Sequence, residues 1–442
     1  QVIHSARILK SYKIQQYDLI GIQIQNPLEF LIQWFACNFL GLTSVLLNPK
    51  LKHDELQQYF DSTQLNTLIT TRDSIYQFSN TKIELIYIED SPLISLCGND
   101  LVKFNWNEND TVTILFTSGS DGFPKPVELM ITNFMSSYFS WNHEIKFKND
   151  KIINFLPLYH IAGISSIFRG LISETPIYLM DKFQVDKFIE SCKTNIPTIV
   201  SLVPTVVYHL LQIEEGINCL KSFRMVLLGG GPSNENILKT CLNHEINIFV
   251  TYGMTETCSG VSGFWIRNNP DKLGSVGKKY KGLSLTVKNK SEEFSQIYII
   301  GKMVAKGYLK NEKFNFEFKS GDCGRIDKDG FLYLKPFRKD RIVTGSYNIN
   351  PLEIKKIILE VNGIIDCCVV GVEDIKWGEK IIAFVNTKIK INESVILDYC
   401  KQKLLDFKIP KQIIFCDYLP QNELGKINKE LVQKLVKNHE HI

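Results

Sequence analysis

Short apolar runs alternate with amphipathic stretches along most of this 442-residue chain. The runs have the length of buried strands, and the stretches between them, such as residues 164–172, have the period of helices. Repeated strand, loop and helix is typical of layered α/β proteins with largely parallel sheets. Strands are predicted at residues 18–23, 44–47, 111–116, 152–156, 198–203, 224–228 and 246–251.

From about residue 273 the pattern changes to short strands joined by tight turns, predicted at residues 283–288, 296–300 and 330–334. The segment Asp327-Lys-Asp-Gly330 predicts a hairpin turn, because Asp and Gly supply turn geometry.

Beyond Pro336 the pattern predicts a small α+β unit. Asn350 and Pro351 have the residue types of a helix start, namely a capping side chain followed by proline at the first helical position. Further elements are predicted as strands at residues 367–372 and 380–385 and a helix at residues 395–407. Charge rises abruptly at residues 337–340, which predicts two domains, residues 1–337 and 338–442.

The first residues lack an initiator Met and have the pattern of an amphipathic helix (Val2, Ala6, Leu9). We therefore expect the first domain to lack its first elements. The most apolar early stretch, residues 31–47, contains Gln33 and Asn38, so it predicts a helix and a strand rather than a membrane span. No secretory signal is recognised.

Composition is that of an ordinary globular protein, with 44% hydrophobic and 22% charged residues. A net charge of +4 gives no reason to expect a nucleic-acid partner or a polybasic membrane surface. The 11 cysteines form no C-x-x-C pair, which argues against a zinc site and for reduced thiols. We expect a cytoplasmic protein, or a stromal one if it is encoded in a plastid.

One polar loop carries the most chemistry, Phe116-Thr-Ser-Gly-Ser-Asp-Gly-Phe-Pro-Lys125. Exposed amides, hydroxyls and a cation on one loop can hold a polyphosphate, although a lone loop of this kind is more often a plain surface turn. It has neither the Walker A nor the dinucleotide-binding pattern. The candidate phosphate-binding residues are Thr117, Ser118, Gly119, Ser120, Gly122 and Lys125.

Three further segments place a charged group near a strand end or a turn. Glu256 follows a predicted strand and could hold Mg²⁺ near phosphates, or could simply begin a helix. Asp322 in Ser320-Gly-Asp could accept hydrogen bonds from ribose hydroxyls, or could simply form a turn. Lys426 follows a glycine in a loop and, taken alone, is a solvated lysine.

Together and in this order, these segments resemble the adenylate-forming acyl-CoA ligase superfamily, from about Asp18 to about Lys429. The resemblance implies two sheet-based α/β subdomains plus a distorted β-barrel, with a small mobile α+β C-terminal domain. It implies two reaction steps. A carboxylate first attacks the α-phosphate of ATP, and a thiol, usually that of CoA, then displaces AMP. The implied partners are a small carboxylic acid, ATP, Mg²⁺ and CoA, and homo-oligomerisation is left open.

The resemblance also implies roles for single residues. Lys426 would bridge the attacking carboxylate and phosphate in the first step and leave the site before the second. The 117–125 loop would bind the β- and γ-phosphates, Glu256 would bind Mg²⁺, and Thr255 would contact the α-phosphate. Tyr252 would stack on adenine, and Asp322 would hold the ribose hydroxyls. Lys339 aligns with the hinge of the family, and Gly345 aligns with the glycine that lines the thiol tunnel.

A narrower resemblance rests on Leu156-Pro-Leu-Tyr-His160-Ile-Ala-Gly-Ile-Ser165, together with Leu227-Leu-Gly-Gly-Gly231 and Thr255-Glu-Thr-Cys-Ser259. This set resembles the o-succinylbenzoate–CoA ligases of menaquinone and phylloquinone biosynthesis, whose substrate is an aromatic keto-diacid. His160 would close the acyl pocket or steer the carboxylate, or else be a buried structural histidine. Arg169 is a candidate for binding a substrate carboxylate, with an ion pair at a helix end as the alternative. Ser165, Gly229, Gly230 and Ser259 are candidates for lining the pocket.

The sequence departs from the family pattern at three places. Asp121 stands where the family usually has Thr, and Pro336-Phe337 replaces Gly-Arg, leaving Arg338 one residue displaced. Gly345-Ser-Tyr-Asn348 replaces Gly-Gly-Glu-Asn. Three alternatives stay open: a ligase for fatty or other aryl acids, a diverged non-catalytic nucleotide-binding homologue, and an adenylation enzyme that serves a carrier protein.

Overall fold

The computed structural model describes residues 1–12, 14–73, 83–90, 106–118, 124–231, 235–287, 293–311, 313–335, 341–345, 347–374, 376–417, 419–420, 431–432 and 435–436. For Asp54, Asp90 and Ser118 it describes the backbone alone.

The first part of the chain forms a seven-stranded sheet with helices packed beside it. Six of its strands are β1 (Leu19–Ile22), β2 (Thr43–Leu46), β3 (Thr67–Thr70), β4 (Glu84–Tyr87), β5 (Thr111–Ser118) and β6 (Pro124–Met130), and the seventh, Gly307–Tyr308, comes from later in the chain. The helices are α1 (Val2–Ser11), α2 (Pro27–Phe39), α3 (His53–Thr63) and α4 (Ile131–Ile145). Strands β1 to β5 are parallel, and β6 joins β5 as an antiparallel hairpin.

A second seven-stranded sheet follows the same plan, with a parallel centre and two antiparallel strands at one edge. Its strands are β7 (Ile152–Asn154), β8 (Ile177–Leu179), β9 (Ile199–Leu202), β10 (Met225–Leu228), β11 (Ile248–Met254), β12 (Ser259–Trp265) and β13 (Lys278–Lys279). The helices are α5 (Ile161–Ile172), α6 (Val185–Asn195), α7 (Pro204–Leu210), α8 (Glu214–Ser222) and α9 (Glu235–Asn243).

The third sheet is antiparallel, with four strands in the described residues. The elements here are β14 (Ser284–Val287), β15 (Ser295–Ile300), β16 (Gly307–Tyr308), β17 (Glu317–Ile326) and β18 (Leu332–Leu334), of which β16 pairs with β6 in the first sheet. The predicted hairpin turn is confirmed, because Gly330 donates its amide to Asp327 O at 3.0 Å and has φ of +85°.

The fourth sheet is built from the last part of the chain. It contains β19 (Ile342–Thr344), β20 (Tyr347–Ile349), β21 (Ile364–Asp374), β22 (Gly378–Thr387) and β23 (Gln412–Phe415), with α10 (Pro351–Leu359) and α11 (Glu393–Lys403) beside it. The predicted start of α10 is confirmed, since Asn350 Oδ1 accepts the Leu352 amide at 2.8 Å. The predicted helix at residues 395–407 ends at Lys403, and a separate 3₁₀ turn, Asp406–Lys408, follows it.

In the described part of the chain, none of the helices has the length and apolar character needed to cross a membrane. Ten cysteines are present there as free thiols. The predicted domain boundary at residues 337–340 lies outside the described residues and stays a prediction.

Candidate active site

The carboxyl ends of the parallel strands in the first two sheets carry several of the predicted site residues. Thr117 lies near the end of β5, Gly229 follows β10, and Tyr252 lies near the end of β11. Polar groups at these ends face a common crevice in doubly wound sheets, which is where such folds bind ligands.

Glu256 is the carboxylate at which the two sheets meet. It lies in a 3₁₀ turn, Thr255–Thr257, directly after β11, and its exposed fraction is 8%. Thr117 Oγ1 donates to Glu256 Oε1 at 3.4 Å, and the Tyr308 hydroxyl donates to the same oxygen at 2.9 Å. Burial raises the pKa of Glu256, and these two hydrogen bonds and the charge of Arg341 oppose the rise without cancelling it.

These surroundings fit a magnesium ion held together with phosphate oxygens. Mg²⁺ keeps several waters and commonly takes one or two carboxylates plus substrate phosphates, rather than a cage of protein ligands. In the described residues no group of three His, Cys, Asp or Glu side chains could hold a metal by itself. A single buried carboxylate at the strand ends therefore matches an ion that arrives with a nucleotide.

Tyr252 and Asp322 lie side by side although they are far apart in sequence. The Tyr252 hydroxyl donates to Asp322 Oδ2 at 2.8 Å. The prediction of a turn at Asp322 is wrong, because the residue lies inside β17. The register of β17 against β15 shifts next to Asp322, and Gly321 has φ of +74°. The strand therefore has a local irregularity of the β-bulge type here, and its residues are of the types that also form turns.

The predicted phosphate-binding loop, residues 117–125, is described only at its two edges. Thr117 and Lys125 lie opposite each other in the β5–β6 hairpin, and Lys125 Nζ is 5.7 Å from the centre of the Tyr308 ring. The positions between them that carry predictions, Gly119, Ser120, Asp121 and Gly122, lie outside the described residues, as does the side chain of Ser118.

Two of the residues predicted to line the acyl pocket, Ser165 and Ser259, lie against the buried guanidinium of Arg169. Arg169 of α5 is 5% exposed, and its Nη1 donates to Ser165 Oγ and Ser259 Oγ, both at 3.2 Å. Its Cζ lies 4.8 Å from the centre of the Trp141 ring. Burial lowers the pKa of Arg169 to about 10. In the described part of the chain no carboxylate forms an ion pair with it, so its partners there are two hydroxyls and an aromatic face.

The backbone at Ser259 is held in an uncommon conformation. Cys258 and Ser259 have φ of 51° and 109°, a region that residues with side chains seldom adopt. Strained backbone of this kind is often retained at ligand sites, where it aims a side chain. Here Ser259 Oγ accepts from Trp141 Nε1 at 3.0 Å as well as from Arg169.

The glycines after β10 are required by close packing and by backbone conformation. A Cβ on Gly229 would lie 2.9 Å from Thr251 Cγ2, and Gly230 has φ of +78°. A Cβ on Gly231 would lie 3.1 Å from the carbonyl oxygen of Gly345, which belongs to the fourth-sheet region. The C-terminal part of the chain thus closes directly over this glycine segment.

Comparison with known proteins decides the family of the chain. Residues 1–309 match the AMP-binding enzyme family, and residues 353–426 match the AMP-binding enzyme C-terminal domain. The chain belongs to the AMP-binding enzyme family. This AMP-binding enzyme is 32% identical to the 2-succinylbenzoate–CoA ligase of Bacillus licheniformis, over 97% of this chain and 92% of the relative. It is 31% identical to the ligase of the same description from Bacillus subtilis, over 96% and 89%.

Two solved structures of the Bacillus subtilis o-succinylbenzoate CoA synthetase match the fold to different degrees. A double mutant bound with its product analogue OSB-NCoA has a TM-score of 0.89, with 28% identity over 98% of this chain and 92% of that chain. The complex with the acyl-adenylate intermediate OSB-AMP has a TM-score of 0.72, with the same identity over 98% and 91%. Sequence identity and coverage are nearly the same for the two structures. The difference in TM-score therefore reflects a difference in how the segments of the chain are arranged in the two structures.

Sequence reasoning missed three residues of this AMP-binding enzyme's candidate site. The Tyr308 hydroxyl donates a hydrogen bond to Glu256, and the Trp141 ring packs against the Arg169 guanidinium. The positive charge of Arg341 lowers the pKa of both Glu256 and Tyr252, against the larger effect of burial. Tyr308 and Trp141 lie in no motif, so the sequence carried no signal for them. Arg341 lies three residues beyond Arg338, and a count of positive charges beyond Phe337 could have found it.

Several predicted residues lie outside the described part of this AMP-binding enzyme. They are Lys426, Lys339, Phe337 and Arg338, so their roles stay predictions. Thr255 is described at the start of the turn that carries Glu256.

His160 is held neutral between aromatic rings. It precedes α5, and its ring centre lies 4.7 Å from that of Tyr159 and 5.6 Å from that of Tyr347. Its Nε2 is buried and has no hydrogen-bond partner among the described residues. The alternative interpretation, a structural histidine held by hydrogen bonds, therefore does not account for the Nε2 atom of His160. Burial lowers the pKa of His160 from 6.5 to about 4.

A stability measurement follows from this depressed pKa. Between pH 6.5 and pH 4 the unfolded state binds a proton at His160 that the folded state does not, so its contribution to stability falls as pH falls. We expect His160→Asn to lose less stability than the native protein across this window. Urea unfolding at pH 7, 6 and 5 measures the difference, and parallel curves for the two proteins would contradict the burial of the neutral ring.

Proposed function

We propose that this AMP-binding enzyme is an ATP-dependent acid–CoA ligase that converts 2-succinylbenzoate to 2-succinylbenzoyl-CoA through an acyl-adenylate, in menaquinone or phylloquinone biosynthesis. The observation that carries the substrate is the buried Arg169 guanidinium without a carboxylate partner in the described chain. A buried charge is costly unless it is paired, and an aromatic acid with a second carboxylate would pair it.

The first step activates the succinyl carboxylate. One of its oxygens attacks the α-phosphorus of ATP, the bond to the β-phosphate oxygen breaks, and pyrophosphate leaves. Catalysis of this kind depends on positioning and charge neutralisation. Mg²⁺ held by Glu256 would neutralise phosphate charge, and Lys426 would bridge the attacking and phosphate oxygens. Tyr252 and Asp322 would hold adenine and ribose, and Thr117, Lys125 and Thr255 would bind phosphate oxygens.

The second step forms the thioester. The sulfur of CoA attacks the acyl carbon, the carbon–oxygen bond to AMP breaks, and the thiol proton is released. The higher TM-score with the product-analogue complex supports a thioester-forming arrangement for this structure. So does the contact of Gly345 with Gly231, because it brings the C-terminal region over the acyl pocket. Lys339 would be the hinge between the two arrangements.

The polar pocket also distinguishes this proposal from a fatty acid ligase. A long alkyl chain would leave the buried Arg169 charge without an anionic partner in the complex, which is unfavourable. The free cysteines support a reducing compartment such as the cytoplasm or the plastid stroma.

A pyrophosphate-release assay with ATP and Mg²⁺ tests the proposed function. The acids are 2-succinylbenzoate, benzoate, a medium-chain fatty acid and none, each with and without CoA. We expect release with 2-succinylbenzoate alone, and its CoA thioester when CoA is added. Release with a different acid would keep the chemistry and overturn the substrate. Protein that is folded and releases no pyrophosphate with any acid would contradict the enzyme assignment.

A further inference from the structure

Lys408 belongs to the C-terminal region, which is the fourth-sheet region at residues 342–415. Its side chain lies between one carboxylate from the first-sheet region and one from the C-terminal region itself. Lys408 Nζ is 2.7 Å from Glu55 Oε1 and 2.6 Å from Glu353 Oε1. The side chains are 14%, 8% and 22% exposed respectively, so the group is largely shielded from water. Glu55 belongs to α3 of the first-sheet region, whereas Glu353 belongs to α10.

An apolar contact adjoins this ionic group. Leu405 is 6% exposed and packs into a cluster whose other buried members come from the first-sheet region, among them Leu56 and Phe60 of α3. Phe407 stacks on Tyr347 with ring centres 3.7 Å apart. The rings of Tyr347 and His160 form an edge-to-face contact with centres 5.6 Å apart. Residues 405–408, here called the docking segment, therefore fasten the fourth-sheet region to both α3 and the acyl-pocket histidine.

The two ion pairs of Lys408 depend differently on where the C-terminal region lies. Glu353 and Lys408 belong to the same C-terminal region, so their pair can persist wherever that region lies. The pair between Glu55 and Lys408 exists only when the docking segment lies against α3. Charged pairs of this kind set register and orientation more than they add raw affinity.

We propose that Lys408 is a positioning residue for the thioester-forming step, acting through Glu55 to hold the C-terminal region over the acyl pocket. The proposal rests on the proposed two-step function. It gives the docking segment a role in the second step and none in adenylation. Adenylation requires a different arrangement, in which Lys426 rather than Gly345 would approach the acyl carboxylate.

The cleanest variant is Glu55→Gln. Glutamine keeps the side-chain oxygen that accepts from the Lys52 amide at the start of α3, and it leaves Lys408 paired with Glu353. Lys408→Gln removes the same link from the other side, together with the pair to Glu353. Lys401→Gln is the matched control, because Lys401 forms an exposed pair with Asp398 on the same region.

The test separates the two half-reactions. For Glu55→Gln and Lys408→Gln we expect acid-dependent pyrophosphate release without CoA to stay within about twofold of native, and the apparent KM for CoA in thioester formation to rise about tenfold. Lys401→Gln should match native in both assays. In the double variant the effects should not multiply, because both changes break one interaction. Multiplying effects would mean that Lys408 acts without Glu55, which overturns the proposal.

Small-angle X-ray scattering gives a readout that needs no substrate. We expect the native protein without ligands to fit the curve calculated from this structure better than either variant does. Identical curves together with an unchanged KM for CoA would overturn the positioning role. If no acid supports pyrophosphate release, the proposed function fails, and the scattering comparison still decides whether Glu55 and Lys408 hold the arrangement.

Discussion

Replacing Arg169 with methionine is expected to lower kcat/KM for 2-succinylbenzoate by about 10²- to 10³-fold, because a buried site built to bind a charged group loses its charge-assisted hydrogen bonds. The same change is expected to leave the free protein at least as stable as native. The guanidinium is 5% exposed and has no carboxylate partner in the described chain, so an apolar side chain of similar length removes a desolvation cost. Steady-state kinetics and urea unfolding measure the two effects.

A substrate analogue sharpens this prediction. 4-Oxo-4-phenylbutanoate has the succinyl carboxylate of 2-succinylbenzoate and lacks the ring carboxylate. The native enzyme should prefer the diacid strongly, whereas Arg169→Met should lose most of that preference. If both proteins discriminate equally, the ring carboxylate is bound elsewhere.

Arg224 offers a matched control with the opposite expectation. It forms a bidentate pair with Asp150, at 2.9 Å from Nε to Oδ1 and 2.7 Å from Nη2 to Oδ2, and the Asp150 side chain is 1% exposed. Arg224→Met leaves that carboxylate buried and unpaired, so we expect it to cost about 3–5 kcal/mol of stability. Its kcat/KM should change little. A large loss of stability in Arg169→Met, with activity retained, would make Arg169 a structural residue.

Most of the central parallel strands were predictable because they are largely buried. Residues 224–228 and 198–203 are mostly apolar, and the structure places β10 and β9 there with only their ends shifted. β4 and β8 lie at sheet edges and were missed, because they are short and only partly buried. β17 lies inside its sheet and was missed because Ser320, Gly321 and Asp322 in its middle break the strand pattern.

The candidate site divides in the same way. Sequence motifs lie in continuous segments, so Glu256, Ser165 and Ser259 can be singled out from the amino-acid sequence alone. Their partners come from elsewhere in the chain. Tyr308 and Trp141 reach the site only because β16 and α4 pack against it, and no local pattern records that packing.

Glu256→Gln is expected to slow acid-dependent pyrophosphate release by about 10²- to 10³-fold at fixed Mg²⁺, since it removes charge where preorganised charge stabilises the transferred phosphate. It should also raise the Mg²⁺ concentration needed for half-maximal rate, because an amide is a weaker ligand for a hard cation than a carboxylate is. Glutamine has nearly the same volume and can still accept from Tyr308 and Thr117, so the fold should persist. A magnesium titration of the rate measures both effects.

The pH profile separates a ligand role for Glu256 from a merely structural one. Burial raises its pKa, so the carboxylate needed for Mg²⁺ is lost as pH falls, and the native rate should decline on the acid side at a higher pH than an exposed glutamate would give. In Glu256→Gln that acid limb should disappear from the residual rate. Tyr308→Phe serves as the control, because it removes one donor to the carboxylate and keeps the charge, so its acid limb should move to higher pH and remain. A Glu256→Gln enzyme with native magnesium dependence and a native acid limb would place the metal at another residue.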